Sequence, residues 1–209
     1  AVRRFLFILF LLLALLAELD AGIFKSEIGR LETAEIHATH RLTLNLLSKR
    51  AEDRMYGKID DLVPVYISDE ISDPVEVFNR IEKWSKTQDV AISSVARIDV
   101  IKDRDEFDYL GLYDIQTDAI ILTWYDEEER GLLRWLRQYK AEHTFYHEVG
   151  HHFFQHSEGG QVEEHEKQAD DYARQMMRIA HPKVFRSLRV AFFPLRALVR
   201  MVRFFRTSG

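Results

Sequence analysis

His147-Glu148-Val149-Gly150-His151 sits inside a stretch that reads as helix. On a helix, residues four apart share a face, so His147 and His151 can offer two imidazoles to one metal ion. Glu148 projects beside them, where it can take a proton from a water polarised by that metal. A pattern this short says little alone. Its meaning turns on whether the chain supplies a third ligand.

Downstream the chain reads Glu163-Glu164-His165-Glu166-Lys167-Gln168-Ala169-Asp170-Asp171-Tyr172-Ala173. The sequence predicts one helix from Gln138 to His156 and another from Gln161 to Ala180. Ser157-Glu158-Gly159-Gly160 forms the turn, with the glycine pair as C-cap and breaker. In an antiparallel hairpin centred there, position i faces roughly position 317 − i. His151 then faces Glu166, and His147 faces Asp170. Glu166 becomes the third ligand. Asp170 becomes the acceptor that orients His147 through its second nitrogen, as ligating histidines usually require. Ala169 and Ala173 are small enough to let the second helix approach closely.

These residues resemble the gluzincin metallopeptidases, in which a helical HExxH is followed by a helix carrying Glu-x-x-Ala-Asp-x-x-Ala. The resemblance runs from Phe145 to Met177, and the compact spacing is most similar to the minimal ImmA/IrrE-type members. It implies a Zn2+ site made by His147, His151 and Glu166, with Glu148 as general base and Asp170 behind His147. It also implies a small twisted sheet backing the HExxH helix. The interval between the motifs leaves little room for a substrate-binding subdomain.

Other residues compete for roles. His165 is the main rival to Glu166 as ligand, and Glu163 the next. His152, His156 and His165 read as solvated or packing residues. A charged solvent face is the ordinary fate of an acidic cluster such as Glu163, Glu164 and Glu166; the paired four-residue register argues against it. A second electrophile would come from Tyr146, His143, His156, His165 or Tyr172.

The chain has 209 residues, a formal net charge of −5 and no cysteine. It suits one moderate domain with attachments, and excludes disulfides, thiolate metal sites and a cysteine nucleophile. All 34 acidic residues lie at or before Asp171, and every charged residue after it is Lys or Arg. From Lys183 to Arg206 arginines alternate with large apolar residues, among them Phe185, Leu188, Phe192, Phe193, Phe204 and Phe205, with Pro194 as a break. That pattern predicts a basic helix in a membrane interface, facing anionic lipid; a terminal helix packed on the acidic body is the alternative. No nucleic-acid motif occurs, so no nucleic-acid partner is expected. At the other end, Arg3-Arg4 precedes 13 unbroken apolar residues, Phe5 to Ala17. This reads as a retained signal-anchor, placing the protein at the cell inner membrane.

Ser26 to Tyr56 reads as a long amphipathic helix, with His37 and His40 on its surface. Val63 to Ile67 and Val95 to Ile101 read as strands. Asp73-Pro74 opens a helix to about Gln88. Leu110 to Tyr113 and Ala119 to Trp124 form a hairpin. Ala119 to Trp124 is either a rim strand that receives a peptide by strand addition or an ordinary internal strand.

The expected fold is α+β. A hydrophobic segment occupies 1–24, a helical connector 25–60, a zincin-like domain 61–181 and a basic amphipathic helix 182–209. The expected function is a zinc metalloendopeptidase acting on a peptide or protein substrate at a membrane surface. The alternative is an assembly or scaffold subunit of a membrane-protein complex that keeps the metallopeptidase fold with a structural zinc site.

Overall fold

A computed structural model describes residues 55–102, 110–115, 117–125, 131–156 and 162–191. Five strands form one mixed sheet: β1 (Met55–Ile59), β2 (Val63–Ile67), β3 (Arg97–Lys102), β4 (Gly111–Asp114) and β5 (Ala119–Trp124). Their order across the sheet is β1-β2-β3-β5-β4. The three central strands run parallel, and each outer strand lies antiparallel to its neighbour. Four helices accompany them: α1 (Pro74–Ser85), α2 (Leu132–Phe153), α3 (Glu163–Ala180) and α4 (Pro182–Ala191). The fold is α+β, as expected.

The alternation of Val65, Ile67, Ile98, Val100, Ile120 and Leu122 turns one row of side chains into the core. There they meet Val77, Ile81 and Trp84 of α1, Phe145, Tyr146 and Val149 of α2, and Ala173, Met176 and Met177 of α3. Asp73 caps α1 by accepting from the Glu76 N–H at 2.9 Å, with Pro74 in the first turn. Glu76 also pairs with Arg80 and, across to α2, with Arg134.

Three expectations about the elements need correction. Met55 and Tyr56 do not end a helix; they open β1, inside the stretch read as connector. The β1–β2 turn puts both Asp60 and Asp61 at positive φ, 49° and 58°. The Leu62 N–H donates to the Ile59 carbonyl at 3.0 Å, so two successive left-handed residues close the turn without the glycine usually found there. Helix α1 stops at Ser85 rather than Gln88, and Ser85 Oγ donates to the Ile81 carbonyl. Helix α2 ends at Phe153, earlier than His156. Gln155 takes φ 53°, its N–H donates to the His152 carbonyl, and the His156 N–H donates to that of His151. This is a Schellman closure with glutamine in the left-handed position. Of the two readings of Ala119 to Trp124, the internal strand holds: β5 lies between β3 and β4, and the sheet edge nearest α2 is β4.

The apolar run near the N-terminus, the connector as far as Arg54, the Ser157–Gly160 turn and the tail beyond Ala191 lie outside the described residues. Among the described residues no helix is long and apolar enough to cross a membrane. Phe185, counted above on the lipid-facing side of the tail, packs against the core. The first turn of α4 therefore belongs to the body.

Candidate metal centre

Two helices build the site. Gly150 allows their closest approach: a Cβ there would lie 3.0 Å from Ala169 Cα and 3.2 Å from its carbonyl oxygen. At this separation His147 and His151 of α2 meet Glu166 of α3. His147 Nε2 lies 3.1 Å from His151 Nε2 and 3.3 Å from Glu166 Oε2, and His151 Nε2 lies 3.5 Å from Glu166 Oε1. The three residues form a group that could hold a metal ion. Tetrahedral donors about 2.0–2.1 Å from zinc stand roughly 3.3 Å from one another, so the set has the right dimensions.

Behind the donors, both imidazoles are held by their other nitrogens. His147 Nδ1 meets Asp170 Oδ1 at 3.0 Å. His151 Nδ1 meets His156 Nδ1 at 2.9 Å. The expected pairing of His147 with Asp170 is present, and Glu166 rather than His165 or Glu163 completes the group; Glu163 is exposed.

The electrostatics of the side chains centre on His147. For His147, burial opposes protonation, but hydrogen bonds to Asp170 and Glu166 outweigh it and raise the imidazole to about 10. His151 is pushed down to about 3 by burial and by the charge of His147. Glu166 and Asp170 are held below the usual carboxylate range: burial raises each, but the bond to His147 and the charges of neighbouring basic side chains together outweigh it. Glu148 is buried and raised by that burial to about 7, despite a hydrogen bond from the Tyr113 backbone N–H.

Glu148 faces β4. A Cβ on Gly111 would stand 2.5 Å from Thr144 Cγ2 and 2.7 Å from Glu148 Oε1, so only glycine lets the strand lie against the carboxylate. One turn further along α2, His152 Nδ1 meets the Tyr113 hydroxyl at 3.1 Å and its Nε2 meets Ser94 Oγ at 2.8 Å. Tyr113 itself donates to Asp118 at 2.6 Å. His152 thus ties α2 to the sheet edge and is not a solvated residue.

Most candidates for a second electrophile are occupied elsewhere. The Tyr146 hydroxyl contacts Thr87, Glu142 and the Trp84 carbonyl, and that of Tyr172 contacts Ala91 N–H and the Asp89 carbonyl. His143 is buried and lowered to about 4 by that burial. His156, read above as solvated or packing, is buried against His151. His165 stacks on it with ring centroids 4.1 Å apart, and its own Nδ1 is buried without a hydrogen-bond partner among the described residues. Nothing in the sequence marks His156 for this place, because it comes back to His151 only through the left-handed Gln155. Gly111 and Tyr113 were equally hidden, since their roles depend on strand pairing far from the motif.

Comparison with protein-family models, with curated proteins and with solved structures yields no match.

Proposed function

We propose that this protein is a zinc-dependent metallopeptidase of the minimal gluzincin type, cleaving peptide bonds at a membrane surface. The observation that carries the reading is the meeting of two helix-borne imidazoles and the Glu166 carboxylate, with Glu148 beside them under the edge of β4. His147, His151 and Glu166 would hold the metal. When bound, Zn2+ supplies Lewis acidity at the scissile carbonyl and acidifies a water towards neutrality. Glu148 takes the proton of the attacking water and returns it to the leaving amine, a shuttle suited to a carboxylate raised by burial. The outer edge of β4 meets no strand among the described residues. An extended peptide pairing with that edge would pass over Glu148. The apolar N-terminal run and the basic tail support membrane attachment, with anionic lipid as the natural counterpart of the arginines.

The test is zinc content and peptide hydrolysis on the same preparations of wild type, Glu148→Gln and Glu166→Ala. About one zinc is expected in wild type and Glu148→Gln, and little in Glu166→Ala. Turnover should fall by about 10²–10⁴ in Glu148→Gln. Wild type without zinc overturns the reading. Zinc without hydrolysis of any peptide favours a scaffold role instead, and full activity in Glu148→Gln overturns Glu148 as the general base.

A further inference from the structure

Two ligating histidines are backed in different ways, and the difference has a chemical meaning. Asp170 holds His147, an ordinary carboxylate behind an imidazole. His151 is held by another histidine, and that histidine by a glutamine. His151 Nδ1 meets His156 Nδ1 at 2.9 Å, His156 Nε2 meets Gln168 Oε1 at 3.0 Å, and Gln168 Nε2 donates to Glu164 Oε1 at 3.3 Å.

We propose that His156, Gln168 and Glu164 form a tautomer lock that leaves the Nε2 lone pair of His151 facing His147 and Glu166. The proposal rests on the metal site described above and adds positioning residues to it.

With His156 neutral, the protons along this chain of contacts can be arranged in one direction only. Glu164 as a carboxylate only accepts, so the Gln168 amide must turn its NH2 towards it. That leaves Gln168 Oε1, an acceptor, against His156 Nε2, which therefore carries the His156 proton. His156 Nδ1 is then a bare acceptor, and the N–H opposite it must belong to His151 Nδ1. A neutral imidazole with its proton on Nδ1 has its lone pair on Nε2, the nitrogen 3.1 Å from its counterpart on His147. In the reversed chain, the Gln168 carbonyl would face the Glu164 carboxylate. Two further features hold His156 in place. Its backbone N–H donates to the His151 carbonyl at 3.2 Å, and its ring lies flat on His165 at an interplanar angle of 7°.

The experiment is a Zn2+ titration against a competing chelator on wild type, His156→Phe, His156→Asn and Gln168→Leu. It is joined by 15N shifts of the imidazoles in zinc-loaded wild type. His156→Phe keeps a flat ring for stacking but no acceptor, and should bind zinc about 10- to 100-fold more weakly. His156→Asn offers a carbonyl near the Nδ1 position and should stay within about threefold of wild type. Gln168→Leu should weaken binding by less than His156→Phe does. The 15N spectrum should show His151 protonated on Nδ1 and His156 on Nε2. Unchanged affinity in His156→Phe, an Asn variant as weak as Phe, or a His156 protonated on Nδ1 each overturns the lock while leaving the metal site standing. A wild type that takes no zinc removes the site and the lock together. Should His156→Phe not fold, Gln168→Leu and the wild-type spectrum decide.

Discussion

At the scale of single residues, one proton governs how the site loads. His147 is raised to about 10 by Asp170 and Glu166 against the effect of burial, so it is protonated at neutral pH in the protein alone. His151, lowered to about 3, is not. A metal must therefore displace the His147 proton, and affinity for Zn2+ should rise with pH up to about 10, by at most about tenfold per unit. Calorimetry at pH 7–8 in buffers of differing ionisation heat should find about one proton released per zinc. Release of none would mean His147 is already neutral. The meeting of His147, His151 and Glu166 was legible because helical periodicity and the Glu-x-x-Ala-Asp spacing are local facts. His156 and Tyr113 were not, because a left-handed turn in one case and strand pairing in the other brings them in.

At the scale of elements, the α2–α3 contact is the most sensitive joint. In an exposed helix, glycine to alanine gains about 1 kcal/mol. In Gly150→Ala the new methyl would meet Ala169 Cα at 3.0 Å and Tyr172 Cβ at 3.3 Å. Overpacking should instead cost about 1–3 kcal/mol in a urea melt. Zinc affinity should fall with it, since Glu166 rides on the displaced helix; a more stable variant would show that the contact has slack. The end of α2 predicts the opposite sign. Gln155 holds φ 53° with a side chain that disfavours it, so Gln155→Gly should gain about 0.5–1 kcal/mol in thermal melts. No gain would mean that the left-handed turn carries little strain. Elements with chemical punctuation were readable in advance: Asp73-Pro74 announced α1. Strand β1 was not, because Met-Tyr-Gly-Lys-Ile lacks alternation, follows a run of helix formers, and closes through Asp60-Asp61 without glycine.

At the scale of the whole molecule, a metal that binds only the folded chain should stabilise all of it. At a free concentration a hundredfold above Kd, zinc adds about 2.7 kcal/mol. A strong chelator should accordingly lower the melting temperature by roughly 5–10 °C. Glu166→Ala should melt at one temperature with or without chelator; equal sensitivity in both proteins would deny the site that linkage. The polarity of charge along the chain, acidic through Asp171 and basic beyond, was plain from composition. That the start of the basic part packs on the body was not, because the packing of Phe185 depends on a core assembled from distant strands.

The candidate metal donors come from two consecutive helices, whereas the sheet joins β2 to β3 and β3 to β5 in parallel, each pair separated by a long connection. Closing a short loop between neighbours loses less chain entropy than aligning distant parallel strands. The helical pair is therefore joined by contacts closer along the chain than those that align β2 with β3. An ion captured there would act as a nucleation clamp, fixing two helices against each other while the strands are still searching for their partners.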